Sequence, residues 1–257
     1  MDYGLSGRVA VVPGATAGLG LASARALAAE GASVVVGGRR AELAKERAAE
    51  LPSAVGIGVD MLDPDGPSTL VDAALEHFGA VDVVVLNGGG PAPGVAADMA
   101  VDGATAAVER LLLPHVRLVT AVLGGMRERG WGRIVAIGST GIQQPIEGLA
   151  ASNVGRAALA GYLKTLATEV AGDGVTVNLV LPGRINTDRL VSLDQAAAER
   201  TGRSVEEIAA AAEALIPAGR YGTPDEFAAV VAFLASQAAA YVTGTQIRCD
   251  GGLIRGH

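Results

Sequence analysis

The residues with the clearest chemical potential in this sequence are three glycines in the stretch VVPGATAGLGLA, between a predicted strand and a predicted helix. Gly14, Gly18 and Gly20 permit a tight turn and let bare backbone approach a pyrophosphate. The N-terminus of the following helix favours the negative charge of such a group. A packing turn is the structural alternative, but the position directly after the first strand favours dinucleotide binding.

A neutral residue and two arginines end the second predicted strand. An acidic side chain at this place would bind the ribose 2′-hydroxyl of NAD, but the sequence has Gly38, Arg39 and Arg40. A guanidinium can pair bidentately with a 2′-phosphate. The sequence therefore predicts NADP(H) rather than NAD(H). Two solvated arginines would give the same pattern, and Ala17 adds no basic side chain to the glycine loop.

Composition limits the class of protein. The chain has 257 residues, of which 50% are hydrophobic and 18% charged, enough to bury a sizeable core. A net charge of −7 argues against nucleic-acid binding, which needs a basic surface. The single cysteine, Cys249, excludes an internal disulfide and favours a cytoplasmic location. We expect no signal peptide, no membrane span or membrane partner, and no metal site.

Short apolar strands alternate with alanine-rich helices along the whole chain. The predicted strands cover residues 8–12, 33–38, 54–60, 81–90, 132–139, 174–183 and 243–252. Nearly continuous apolar strands in such alternation are typical of a parallel sheet covered on both faces, and we predict one α/β domain over 1–257. Residues 187–217 form a predicted helical substrate lobe after a strand end, where such sheets bind ligands. A solvated helix pair is the alternative.

Several motifs together resemble those of the short-chain dehydrogenase/reductase family. They are GATAGLG (14–20), GVDMLD (58–63), LNGGG (86–90), LPGRINTD (181–188), RYGTPDEFAAVVAFLAS (220–236) and AYVTGTQIRCDGG (240–252). The resemblance runs the length of the chain and is closest to the branch of 3-oxoacyl-acyl-carrier-protein reductases. It implies a Rossmann-type doubly wound sheet of about seven strands in the order 3-2-1-4-5-6-7.

The resemblance also implies a set of cofactor-binding residues. Asp60 would meet the adenine amine, while Pro182, Ile185 and Thr187 would line the nicotinamide. The full expected set is Gly14, Thr16, Gly18, Leu19, Gly20, Arg39, Arg40, Asp60, Met61, Asn87, Gly88, Gly89, Arg156, Pro182, Gly183, Ile185 and Thr187.

The catalytic positions of the family are only partly kept. In the family a tyrosine transfers the proton, a lysine lowers its pKa, a serine binds the substrate oxygen and an asparagine holds a relay water. Ser139 matches the serine; the tyrosine position, thirteen residues on, is Ser152, and the lysine position is Arg156. The asparagine position is assigned to Leu112. The stretch SNVGRA resembles a subgroup of reductases in which SNxxxRA replaces the tyrosine–lysine turn.

The replacements differ in what they preserve. Arg156 keeps a positive charge but cannot deprotonate, and Ser152 has a shorter, less acidic hydroxyl. Loss of the tyrosine is expected to cost about 10²–10⁴-fold, the usual contribution of general acid catalysis. Leu112 removes the polar anchor of the relay, and Pro114 is expected to bend the helix around it, because its ring clashes with the carbonyl of Arg110.

Substitute proton donors are few. Glu147, in the loop IQQPIEG, is the best carboxylate candidate, although a solvated loop glutamate is the default interpretation. His115 is more typical of a packing residue. An alternative register through Tyr162 and Lys164 is not favoured, because residues two apart point to different helix faces; a packing tyrosine and a solvated lysine explain them.

Three functions remain open at this point. The first is NADP(H)-linked reduction of a carbonyl, of 3-oxoacyl or bulky apolar type, with a non-standard proton donor. The second is a non-redox isomerase, lyase or cyclase using the same cofactor pocket, and the third is a silent subunit. The ligand is a small molecule. A homo-oligomer, dimer or tetramer, is expected from the apolar faces of 108–123 and 157–167, which could equally pack within one subunit.

Overall fold

A seven-stranded parallel sheet forms the centre of the computed structural model, which describes residues 2–256. Its strand order is β3-β2-β1-β4-β5-β6-β7, which confirms the predicted doubly wound fold. The strands are β1 (Val9–Val12), β2 (Ser33–Gly38), β3 (Ala54–Gly58), β4 (Val83–Leu86), β5 (Gly132–Ile137), β6 (Val175–Pro182) and β7 (Gln246–Cys249).

Nine α-helices connect the strands in this part of the chain. They are α1 (Gly18–Ala29), α2 (Ala41–Ala49), α3 (Gly66–Phe78), α4 (Val101–Leu111), α5 (Leu113–Glu128), α6 (Ala150–Val170), α7 (Asp188–Thr201), α8 (Val205–Glu213) and α9 (Pro224–Ala235). Helices α3, α5 and α6 cover one face of the sheet, while α1 and α9 cover the other.

The strands are apolar at successive positions because helices cover both faces of the sheet. In β4, Val84 and Leu86 face the core beneath α3, α5 and α6, whereas Val83 and Val85 face the core beneath α1 and α9. Successive side chains of a strand point to opposite faces, so both sets must be apolar when both faces are covered.

The order of the strands places the binding crevice. Strand β1 pairs with β2 on one side and with β4 on the other, so the direction in which the chain winds reverses between β1 and β4. Ligands of open α/β sheets bind at the carboxyl ends of the strands at this switch point. Residues following β1, β4 and β5 therefore surround the candidate site.

A proline interrupts the helix on the substrate side, as predicted. Helix α4 ends at Leu111 and α5 begins at Leu113, with Leu112 between them at φ −115° and ψ −58°. Pro114 lies in the first turn of α5, where a proline is tolerated.

The segment 187–217 contains the helix pair α7 and α8. Its base is fixed to the domain through the buried carboxylate of Asp194, which pairs with Arg184 at 3.0 Å and accepts a hydrogen bond from the Tyr221 hydroxyl at 2.9 Å. Thr187 caps α7 and Ser204 caps α8. Over residues 2–256, no helix combines the length and the apolar character needed to cross a membrane.

Candidate functional site

The glycine loop after β1 has the geometry of a phosphate cradle. Gly14 and Gly18 have φ angles of 61° and 57°, in the left-handed region that favours glycine. No side chain caps the N-terminus of α1, and its first turn has no acidic residue. The amide groups and the positive end of the helix dipole are thus left for an anion. Thr16 and Leu19 lie in the same loop, and Leu19 also packs against the core.

Asn87, directly after β4, ties the two sides of the crevice together. Its Nδ2 atom donates to the carbonyl oxygens of Pro13 and Gly14 at 3.1 and 3.2 Å. A Cβ atom on Gly20 would lie 2.4 Å from the Gly14 oxygen and 2.6 Å from Asn87 Nδ2. Helix α1, the glycine loop and Asn87 pack so closely that only a glycine fits at position 20. The role of Asn87 is to hold the glycine loop in place.

The end of β2 presents two arginines and no acid. Gly38 is buried, and a Cβ there would lie 2.5 Å from the Thr16 methyl group, so a larger residue such as an aspartate would displace the Thr16 side chain. Arg39 and Arg40 are exposed, and among the described residues neither forms an ion pair. Both guanidinium groups remain for a phosphate on the ribose.

The remaining residues that we expect to bind the cofactor follow the strands β3 and β6. Asp60 is exposed and one of its oxygens accepts from the amide of Leu62 at 3.0 Å, which leaves the other for a ligand; Met61 packs on the core. The Thr187 methyl group lies 3.9 Å from the place of a Cβ on Gly18, so the start of α7 covers the glycine loop. Pro182 ends β6 beside Gly183, and Ile185 is buried.

Ser139 follows β5 with its hydroxyl oriented by the backbone. Its Oγ atom accepts a hydrogen bond from the amide of Gly141 at 3.0 Å. Because the oxygen is engaged as an acceptor, the hydroxyl proton can be donated to a carbonyl oxygen of a substrate.

Arg156 and Ser152 lie one turn apart on α6, which brings them to one face of the helix. Nη1 of Arg156 donates to the carbonyl oxygens of Ile137 and Gly138 at 2.8 and 2.9 Å, directly before Ser139. Burial, with a contribution from the charge of Arg189, lowers the pKa of Arg156 to about 10. The guanidinium thus stays charged at neutral pH and is fixed to the end of β5.

His115 is buried beside the arginine. It is 4% exposed, and its Cε1 and Nε2 atoms lie 3.8 and 3.9 Å from the place of a Cβ on Gly88. Burial, with a contribution from the charge of Arg156, lowers the pKa of His115 to about 4, so the imidazole is neutral at physiological pH. Its Nδ1 atom is buried and has no partner in the described part of the chain. Gly89 faces open space.

The loop between β5 and α6 is held by a residue to which the sequence analysis gave no role. Asn153 accepts from the Ile146 amide at 3.3 Å and donates to the Ile146 carbonyl at 2.9 Å. Glu147, which follows Ile146, is exposed and lines a shallow cavity of about 370 Å³ with Val95 and Asn153. Asn153 could have been found only from its place beside Ser152, since its partner is seven residues away.

The other candidates have structural roles. Tyr162 packs against the core, and burial raises its pKa. The Lys164 ammonium group donates to the Gly244 carbonyl at 2.9 Å, so it is bonded rather than only solvated. Of the two leucines near the asparagine position, Leu111 packs against α6, 2.8 Å from the place of a Cβ on Gly155, while Leu112 packs on the core from the helix break.

Comparisons with known proteins agree with this geometry. A family model described as enoyl-(acyl carrier protein) reductase matches residues 14–254. The 3-oxoacyl-[acyl-carrier-protein] reductase FabG of Vibrio cholerae is 35% identical over 251 residues, which are 97% of this chain and 98% of the relative.

Two solved structures extend the similarity to the whole fold. L-Sorbose reductase from Gluconobacter frateurii, complexed with NADPH and L-sorbose, is 32% identical with a TM-score of 0.94 and full coverage of both chains. A variant of the actinorhodin polyketide ketoreductase with NADPH is 38% identical with a TM-score of 0.90, covering 96% of this chain and 97% of the other. The chain therefore belongs to the short-chain dehydrogenase/reductase family of nicotinamide-dependent oxidoreductases.

Proposed function

We propose that this protein reduces a carbonyl compound with NADPH, using Ser139, Ser152 and Arg156 where relatives use serine, tyrosine and lysine. The observation that carries the proposal is the attachment of Arg156 to the carbonyl groups of Ile137 and Gly138. This places a fixed positive charge next to Ser139, at the strand ends that flank the dinucleotide crevice. Carbonyl reduction creates negative charge on oxygen, and a preorganised cation stabilises it.

The preference for NADPH is part of the proposal. It is supported by Arg39 and Arg40, which are exposed and form no ion pair within residues 2–256, and by the close contact with Thr16 that any side chain at Gly38 would make. Both solved relatives are complexes with NADPH. The glycine loop and the uncapped start of α1 would hold the diphosphate, and the arginines would hold the 2′-phosphate.

The chemistry divides between cofactor and protein. When bound, NADPH supplies the hydride that is added to the carbonyl carbon. The hydroxyl groups of Ser139 and Ser152 donate to the carbonyl oxygen, and the guanidinium of Arg156 stabilises the alkoxide that forms. Ser152 then gives its proton to the alkoxide and recovers one from water. A guanidinium cannot take part as an acid at neutral pH, so the arginine acts by charge alone.

Glu147 is retained as a second proton source in this proposal. It is exposed and lies on the loop that Asn153 holds beside Ser152. Its place on the rim supports proton delivery through water rather than direct contact with the substrate.

The experiment is a spectrophotometric assay of NADPH oxidation with ketones and 3-oxoacyl thioesters, preceded by calorimetric titration with NADPH and NADH. Binding of NADPH followed by oxidation that Ser139→Ala abolishes is the expected result. Failure to bind either nucleotide contradicts the proposal. Binding without oxidation of NADPH by any carbonyl compound instead favours a non-redox role.

We also propose that α6 contributes to a homo-oligomer, either dimer or tetramer. Its inner face, with Leu159 and Leu163, packs within the subunit, so this part of the expected interface is used inside the monomer. Val154 is 41% exposed on the same helix and Val101 is 80% exposed on α4, which leaves apolar surface for a second copy. Light scattering after size exclusion tests this, and a monomer contradicts it.

A further inference from the structure

Arg189 and the buried His115 contact the segment 88–91 that follows β4, and Arg156 is bonded to the end of the neighbouring strand β5. Arg156 approaches from α6, and its charge lowers the pKa of His115, which contacts the place of a side chain at Gly88. Arg189 approaches from α7: its Nη2 atom lies 3.7 Å from the place of a Cβ on Gly90 and donates to the Pro91 carbonyl at 3.2 Å.

These two guanidinium groups have no carboxylate partner within 4 Å among the residues that the structure describes. Seven other arginines form ion pairs, whereas nine more, Arg39 and Arg40 among them, also form none within residues 2–256. The charge of Arg189 disfavours the protonated form of Arg156, and so does burial. A bound anion would favour the charged form of Arg156 and so offset both effects.

Arg156 has one edge of its guanidinium left for such an anion. Nη1 makes both hydrogen bonds that this side chain forms within residues 2–256, to the Ile137 and Gly138 carbonyls. The Nε and Nη2 atoms form the opposite edge, which matches the two oxygens of a carboxylate. Neutral His115, with its Cε1–Nε2 edge toward Gly88 and Nδ1 without a partner, adds a polar group and no competing negative charge.

Groups other than Arg156 and Arg189 are available to bind the phosphates of the cofactor. The start of α1 is uncapped and Arg39 and Arg40 are unpaired in the described chain, which accounts for the diphosphate and the 2′-phosphate. Arg189 is nevertheless two residues from Thr187, which approaches the glycine loop. Neutralisation of the diphosphate is therefore the competing role of Arg189, and the experiment must separate the two.

We propose that the substrate is a free 2-oxo or 3-oxo acid, whose carboxylate is bound by Arg156 and Arg189 while Ser139 and Ser152 hold its ketone oxygen. The proposal rests on the proposed function and narrows its substrate class. The expected substrate is therefore an anion and not an apolar ketone or a neutral thioester, because neither of those would pair with the two guanidinium groups.

The first experiment compares each acid with its own methyl ester: 2-oxobutanoate and 3-oxobutanoate against their esters, by NADPH oxidation. For at least one pair, we expect kcat/KM to be about 10–100-fold higher for the acid, the usual value of a charge-assisted pair. Arg189→Met should remove most of this preference and change the activity on the ester by less than about threefold. The control Arg200→Met, on the exposed side of α7, should change neither.

Two results overturn the proposal. One is equal activity on acid and ester in the unmodified protein. The other is an Arg189→Met variant that weakens NADPH binding in calorimetry while the ratio of acid to ester activity is unchanged, which assigns Arg189 to the diphosphate.

A second experiment measures ligand binding, so it tests the anion site even if the protein does not oxidise NADPH. The protein saturated with NADP⁺ is titrated with 2-hydroxybutanoate, 3-hydroxybutanoate and their methyl esters. Binding of an acid that is tighter than that of its ester, and that Arg189→Met weakens about tenfold, supports the site even without turnover. Equal binding of acids and esters, or no binding of any of them, overturns it.

Discussion

The pH dependence of folding offers a direct test of the environment of His115. Its pKa is lowered from 6.5 to about 4 by burial, with a contribution from Arg156. The unfolded chain therefore binds a proton at this residue that the folded protein does not. Below the unfolded pKa the folded state loses stability as the pH falls, and the loss ends once the pH has passed below the folded pKa.

The size of the effect follows from the two pKa values. Between pH 7 and pH 5 the loss due to this residue is about 2 kcal/mol, since each pKa unit corresponds to about 1.4 kcal/mol. His115→Phe removes the titration and keeps most of the volume. The difference in unfolding free energy between pH 7 and pH 5 should thus be about 2 kcal/mol smaller in the variant than in the unmodified protein.

Urea unfolding at the two pH values measures this difference directly. Carboxylates that titrate in the same range contribute equally to both proteins and cancel in the comparison. Leu118→Met, a buried change of similar volume on the same helix, is the control, because it should shift stability at both pH values alike. An identical pH dependence in His115→Phe and the unmodified protein would refute the reasoning.

Three further substitutions test the crevice and the loop beside it. Gly20→Ala places a methyl group 2.4 Å from the Gly14 oxygen, so calorimetry should show NADPH binding weakened by more than about tenfold. Arg39→Ala removes a partner of the 2′-phosphate and should weaken NADPH about 10–100-fold, with NADH unchanged. Asn153→Ala releases both hydrogen bonds to Ile146 and should raise KM about tenfold, with a smaller effect on kcat.

Each of these substitutions has a matched control. Gly124→Ala lies in α5 in open space and should leave NADPH binding unchanged. Arg110→Ala removes an exposed arginine distant from β2 in the sequence, and Gln144→Ala removes an exposed side chain of the same loop. An unchanged ratio of NADPH to NADH affinity in Arg39→Ala, or an unchanged KM in Asn153→Ala, would show that the proposed contact is not made.

The sheet and the cofactor crevice could be predicted from local patterns. Most strands are short apolar runs rich in valine, and each predicted range contains the observed strand. The glycine loop is recognisable because its three glycines follow a strand and open a helix, so a local spacing carries the geometry. The helix break at Leu112 followed in the same way from the proline two residues later.

The electrostatic part of the site depends on contacts between residues distant in the chain. Arg156 meets the carbonyls of Ile137 and Gly138, and His115 meets Gly88, across two or more elements. Arg189 reaches Pro91 from the other side of the crevice. The spacing of residues along the chain does not reveal such pairs, so from the sequence Arg156 is known only by its residue type and His115 is expected to be a packing residue.

The pH dependence of hydride transfer tests the central claim that a fixed charge beside two serine hydroxyl groups has replaced the tyrosine–lysine pair. Stopped-flow oxidation of NADPH would be followed with a saturating substrate from about pH 6 to about pH 9. Because Arg156 keeps its charge and His115 stays neutral over this range, the rate constant should change by less than about threefold. A tenfold fall for each pH unit, with a midpoint inside the range, would show a titrating proton donor and contradict the account.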